Sequence, residues 1–349
     1  MWVDAFSLRL DSPLTTAAGQ ITERRGFLVG IQQDGVSGLG EATPLPGWTE
    51  SYDACRTALE TVAQSTDSET EPPDPTDTPA AAHAVELAHL DAIARRDNRP
   101  LAAVLREGVF DADRPLPDSV PVNATIGDGT VAETVHAATT AVDEGFDWLK
   151  LKVGAREPDQ DLRRVQAVRE AVDDGVSLRL DVNGGWDRST ARAMVDQLAV
   201  VDIEYLEQPL PADDIEGLAE LRGHGVDIAV DESLAERSLS AVLASGAADV
   251  AVLKPMAVGG PRRTVEAAAT ARAAGVEPGV TTTVDGVVAR TAAVHAAAAI
   301  PDVTACGLAT GSLLATDLAD DPVSIADGRA QLPAGNGLCG DGFAELQRL

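Results

Sequence analysis

Phe146-Asp147-Trp148-Leu149-Lys150-Leu151-Lys152-Val153-Gly154 alternates cationic and apolar side chains and ends on a glycine, the pattern of a strand running into a turn. A period of two sends Lys150 and Lys152 to one face and Leu149, Leu151 and Val153 to the other. The pair matters because the chain contains only three lysines, Lys150, Lys152 and Lys254; every other cationic side chain is an arginine. Solvent-facing positive charge is thus supplied by arginine, and two lysines in one strand predict a chemical use for the amine rather than a solvated pair. Their backbones start about 7 Å apart. At an effective dielectric near 20, two ammonium groups at that separation repel by about 2 kcal/mol. Repulsion and burial both lower an amine's pKa, so the strand predicts a lysine base working near neutral pH.

Downstream and upstream of this strand the grammar differs. From about residue 120, apolar strand-like runs recur at 120–126, 148–153, 176–182, 203–206, 226–230, 250–253, 279–284 and 303–308. Alanine-rich segments of helical period, such as 131–142 and 262–274, separate them. Eight short parallel-type strands with crossover helices predict an α/β barrel. Before them, runs at 3–10, 26–31 and 36–42 read as a three-stranded start, with Asp34-Gly35 as a hairpin turn. Helical patterns follow at 51–63, 80–96 and 100–107. The small, flexible stretch 12–20 reads as either a lid or a plain loop, the stiff apolar loop at 40–50 is suited to wall off a pocket, and the acidic, proline-rich stretch 65–79 reads as a solvated loop. Residues after 325 hold no further strand–helix unit and are expected to return to the first section. The expected division is 1–115, an α+β cap; 116–325, the barrel; and 326–349, the returning tail.

The 349 residues carry a formal charge of −29, with 56 acidic side chains. Such a surface repels nucleic acid and anionic membranes, so neither is an expected partner. The acid-rich, lysine-poor balance resembles that of proteins from a salt-rich cytoplasm. Cys55, Cys306 and Cys339 are odd in number and lack C-x-x-C spacing, which argues against a disulfide framework or a zinc site. No basic start with an apolar run and no apolar stretch of spanning length is present, and the chain reads as cytoplasmic.

In a barrel the chemistry sits at the C-terminal ends of the strands. Those ends carry Lys152, Asp181 in Arg179-Leu180-Asp181-Val182-Asn183, Glu207 in Glu207-Gln208-Pro209, Asp231 in Asp231-Glu232-Ser233, and Lys254, spaced 23 to 29 residues apart. Three carboxylates on consecutive strands, bracketed by two lysine sites, predict oxygen-only ligation of a hard cation such as Mg²⁺. Without a cation a buried carboxylate trio would repel itself.

With these residues the chain resembles the enolase superfamily, in its muconate-lactonizing-enzyme subgroup. The resemblance implies a modified TIM barrel, (β/α)7β, with an N-terminal α+β capping domain. Gly40-Glu41-Ala42-Thr43-Pro44-Leu45-Pro46-Gly47, Arg179 two residues before Asp181, and Gly307-Leu308-Ala309-Thr310 are most similar to the o-succinylbenzoate synthase family. Ala309 stands where that family has an acidic residue, and Asp285 where Glu is common. The resemblance implies dehydration of a small carboxylate, 2-succinyl-6-hydroxy-2,4-cyclohexadiene-1-carboxylate, with Mg²⁺ on Asp181, Glu207 and Asp231. Lys152 would be the base and then the acid, Lys150 a substrate-binding cation that lowers the pKa of Lys152 and helps neutralise the intermediate, Lys254 a cation on the opposite face, and Arg179 a substrate-orienting group. The rival readings are an N-acylamino acid racemase or dipeptide epimerase, in which both lysines exchange protons, a muconate cycloisomerase, and a catalytically silent metal-binding scaffold.

Overall fold

The computed structural model describes residues 1–16, 19–65 and 72–347. The chain opens with an antiparallel sheet of three strands, β1 (Trp2–Thr16), β2 (Gly19–Gln33) and β3 (Val36–Ala42). The expected loop at 12–20 is instead mostly strand. A register irregularity between Arg9 and Leu14 lets pairing resume at Leu14 with Ile21 and continue to Thr16 with Gly19, while residues 17 and 18 lie outside the described residues. Of the expected solvated loop at 65–79, residues 66–71 also lie outside them.

Helix Tyr52–Gln64 starts at Ser51, whose hydroxyl accepts the Ala54 amide, satisfying one of the orphan donors of the first turn. Helix Pro79–Arg96 follows and lies directly on β3. Alanines 84, 88 and 92 of the helix are buried, and a Cβ at Gly38 or Gly40 would overlap the Ala88 or Ala84 carbonyl oxygen. Small residues on both partners therefore set this helix–sheet spacing. Gly40→Ala should lower stability by about 1–3 kcal/mol through overpacking. Gly127→Ala, whose added methyl meets nothing within 4 Å, should change it by less than about 0.5 kcal/mol; chemical denaturation compares the two.

The second section begins with β4 (Ser119–Pro121) and β5 (Ala124–Ile126). The single strand expected at 120–126 is split because Pro121 has no amide to donate. Val122 and Asn123 donate in different directions, to Gly328 O and Cys306 O. The parallel strands β6 (Trp148–Lys152), β7 (Ser177–Asp181), β8 (Tyr205–Glu207), β9 (Asp227–Val230), β10 (Val250–Leu253) and β11 (Glu277–Val280) follow. With β5 they form one seven-stranded sheet in consecutive order. The expected eighth strand at 303–308 is reduced to two single bridges, Cys306 with Val122 and Gly307 with Thr281. Those bridges join the two edges of the sheet and close it into a barrel, with crossover helices such as Pro158–Ala171 and Pro261–Ala273 outside. Among the described residues no helix is long and apolar enough to cross a membrane.

The strands β12 (Ile325–Ala326) and β13 (Arg329–Gln331) pair with β4. Beyond them the chain reaches the helices of the first section. Asp91, fully buried in helix Pro79–Arg96, accepts the amides of Leu39 and Leu338 at 3.0 and 2.8 Å and the Arg95 guanidinium at 3.0 Å. One carboxylate thereby ties β3, its covering helix and the tail. His295 does the same for helix Val287–Ala299: its Nδ1 accepts the Ala102 amide, so Nε2 carries the hydrogen and donates to Leu338 O.

Candidate active site

Parallel register brings the predicted residues together. Lys152 lies beside Asp181 and Asp181 beside Glu207 across β6, β7 and β8, while Asp231 follows β9 and Lys254 follows β10 directly. Lys152 Nζ donates to Asp181 Oδ2 at 2.6 Å and to Asn183 Oδ1 at 2.9 Å. Lys150 Nζ lies 2.9 and 3.2 Å from the two oxygens of Glu207 and 3.2 Å from Asp181. Lys254 Nζ lies 2.5 and 2.6 Å from the oxygens of Asp231. All three carboxylates are buried, whereas the Lys152 side chain is 35% exposed and so the most accessible of the three amines.

The electrostatics depart from the expectation in one respect. Burial disfavours the charge on Lys150, yet Glu207 and Asp181 outweigh it and raise this amine above its ordinary value. Two lysines facing each other would repel; two lysines interleaved with carboxylates do not. Burial likewise opposes ionisation of Asp181, but Lys150 and Lys152 hold it well below the usual carboxylate range. Burial, reinforced by Asp181, pushes Glu207 up to about 7. Burial also raises Asp231 to about 6, against the pull of Lys254.

Arg179 is corrected. Its guanidinium takes no part in the mouth of the barrel but turns toward its floor, donating to both Glu204 oxygens at 2.9 Å, to Ala305 O at 2.5 Å and to Thr304 Oγ1 at 2.7 Å. It also lies over the Tyr205 ring. Bonding to Ala305 and Thr304 pins the segment that stands in for an eighth strand, so its work is barrel closure. Arg179→Met should cost about 2–4 kcal/mol by leaving Glu204 and the Ala305 carbonyl unpaired, and should leave Mg²⁺ affinity unchanged. Thermal unfolding and calorimetry measure the two effects.

Several residues of the site went unassigned from the sequence. Asn183, at φ +50°, receives Lys152 and donates to Glu232 Oε1. Gln208, fully buried at φ +39°, accepts the amides of Asp231 and Ser233 and donates to Leu210 O and Ser233 Oγ. Left-handed backbone at non-glycine residues is uncommon and gathers at functional sites. Each of the two follows a predicted ligand closely, so D-x-N and E-Q were the signals available. Trp48, from the cap, places its ring 3.2 Å from Lys254 Nζ.

Among the described residues no three His, Cys, Asp or Glu side chains are drawn together around a point that could hold a metal ion, because each carboxylate is turned toward a lysine. The donor set nevertheless fits a hard cation. It is made of oxygens only, on adjacent strand ends.

A family model described as enolase C-terminal domain-like matches residues 133–340, more than half the chain, and one for the MenC N-terminal domain matches residues 3–92. The chain belongs to the enolase superfamily. Its relatives put it in the muconate-lactonizing-enzyme subgroup. It is 35% identical to a chloromuconate cycloisomerase of Cupriavidus necator over 63% of this chain and 60% of that one. It is 40% identical to the o-succinylbenzoate synthase of Thermobifida fusca over 60% of this chain and 65% of that one. The match thus spans less than two thirds of the length of either relative. The structure of a dipeptide epimerase from Methylococcus capsulatus, complexed with Mg and the dipeptide L-Arg-D-Lys, superposes with a TM-score of 0.82 at 27% identity, covering 97% of this chain and 98% of that one. This member of the enolase superfamily therefore has the expected fold, a parallel barrel behind an antiparallel cap.

Proposed function

We propose that the protein is an o-succinylbenzoate synthase, dehydrating 2-succinyl-6-hydroxy-2,4-cyclohexadiene-1-carboxylate to o-succinylbenzoate, a step of menaquinone biosynthesis. The observation that carries this reading is the match of the cap to the MenC N-terminal domain. Asp181, Glu207 and Asp231 would hold Mg²⁺, which when bound supplies a fixed double positive charge against the substrate carboxylate.

The remaining chemistry belongs to the lysines. Lys152, the accessible amine on β6, takes the α-proton from one face of the ring. The C–H electron pair passes into the ring and carboxylate, and the ring C–O bond then breaks. Lys152, now an ammonium, returns its proton to the departing hydroxyl, which leaves as water from the same face. One group thus serves as base and acid. Lys254, on the far side of the carboxylates, supplies positive charge to the anion that develops between the two proton transfers. Lys150, held by Glu207 and Asp181, keeps both carboxylates in place.

The rival reading has Lys152 and Lys254 exchanging protons on opposite faces of one α-carbon. Lys254→Arg separates the two, because a guanidinium keeps the charge and does not deprotonate near neutral pH. The variant is expected to retain measurable dehydration while any racemisation of N-succinylamino acids disappears. Loss of dehydration to the level of a Lys152 deletion would mean that Lys254 transfers a proton and would overturn the one-base reading.

A further inference from the structure

Lys254 is enclosed on two sides. Asp231 takes its ammonium from one direction at 2.5 and 2.6 Å, and the Trp48 ring covers it from another at 3.2 Å to the centroid. At that separation no atom fits between ring and nitrogen, so the covered face cannot reach a carbon. A base must come within about 3–3.5 Å of the carbon it deprotonates, with its lone pair aligned.

The tryptophan is held there by a cap loop docked firmly on the barrel. The loop is a tight turn: the amides of Trp48 and Thr49 both donate to Leu45 O, Thr49 Oγ1 accepts the Leu45 amide, and Gly47 takes φ +97° at the tip. Two buried ionisable residues, Arg24 and Glu41, fasten its base. Arg24 donates to Thr43 O, Pro44 O and, across the interface, Val284 O. Glu41 accepts the amides of Gly286 and Ala289 at 2.7 and 2.9 Å, capping helix Val287–Ala299 of the barrel from the cap side, where the helix dipole favours a carboxylate. Val284 itself, a β-branched residue at φ +61°, is held in a backbone region that such residues avoid. Loop and anchor therefore form one hydrogen-bonded unit that carries the Trp48 ring over Lys254.

We propose that Trp48 determines reaction specificity by covering Lys254, restricting it to a source of charge and barring it from proton transfer. The inference rests on the one-base dehydration above. Trp48→Leu removes the covering face and leaves Lys254 free to approach an α-carbon, whereas Trp48→Phe keeps an aromatic face.

The test compares wild type with both variants, in Mg²⁺-loaded protein, for dehydration of the cyclohexadiene carboxylate and for racemisation of an N-succinylamino acid. In deuterium oxide the wild type is expected to exchange the α-hydrogen of one enantiomer only. Trp48→Leu should exchange both and raise the ratio of racemisation to dehydration by about tenfold or more, while Trp48→Phe stays close to wild type. A folded Trp48→Leu protein with unchanged ratio and one-sided exchange, beside a wild type that dehydrates, overturns this inference and leaves the dehydratase reading standing. A wild type that racemises freely and dehydrates negligibly overturns the dehydratase reading itself. A readout without turnover uses the indole N–H resonances of the four tryptophans, that of Trp48 assigned by its loss in Trp48→Phe. Lys254→Met should shift this resonance; an unmoved resonance would mean that ring and ammonium do not meet in solution, contradicting the proposal even if Trp48→Leu fails to fold.

Discussion

Lys152→Ala is expected to leave a folded protein whose turnover has fallen by about 10⁴-fold, the upper end for one general acid–base group because this residue acts twice. The fold survives because the side chain is at the rim of the mouth and partly exposed. Its main partner also keeps a second cation, since Lys150 remains 3.2 Å from Asp181 after the truncation. The neighbouring amine cannot substitute: Lys150 is bound to both Glu207 oxygens and its amine is raised above its ordinary value, the wrong direction for a base. Circular dichroism and thermal unfolding verify the fold, and single-turnover kinetics measures the chemical step. Substantial activity in a correctly folded Lys152→Ala protein would remove it as the base.

Asp181→Asn should weaken Mg²⁺ binding by more than about 100-fold, which exceeds the usual cost of losing even a conserved outer partner of a metal ligand. Asp181 stands between the other two groups, next to Lys152 on one side and Glu207 on the other in the strand register. It is also the carboxylate that its surroundings keep most firmly ionised. Glu207→Gln is expected to act in the same direction and provides the check should Asp181→Asn misfold, since it spares the Lys152 contact. Titration calorimetry of metal-free protein reads both without any substrate. Unchanged affinity in either folded variant would mean that the cation is held elsewhere.

The lysine-bearing strand and the spacing of the three acidic strand ends were legible in the sequence because both depend on local rules, alternation along a strand and one residue type per strand–helix repeat. Parallel register then places Lys152, Asp181 and Glu207 side by side. Arg179 was misassigned because period two fixes the face of a residue but not whether a long side chain reaches up to the mouth or down to the floor. Glu204 and the Ala305 carbonyl, both distant in sequence, decide that. The eighth strand was overestimated for the same reason, since its hydrophobic run cannot reveal that an arginine takes one of its carbonyls. The raised Lys150 was missed because a pairwise estimate between lysines omits the carboxylates that separate them. Trp48 over Lys254 joins residues more than two hundred positions apart, and no local pattern encodes such a contact.

The most direct measurement is product analysis of the purified full chain, with Mg²⁺ in concentrated potassium chloride, supplied in parallel with the cyclohexadiene carboxylate, N-succinylamino acids and cis,cis-muconate. The expected result is Mg²⁺-dependent o-succinylbenzoate formation with kcat/KM on the order of 10⁴ M⁻¹s⁻¹ or higher, abolished by chelation, and far slower conversion of the other two. Efficient racemisation or lactonisation beside negligible o-succinylbenzoate would contradict it.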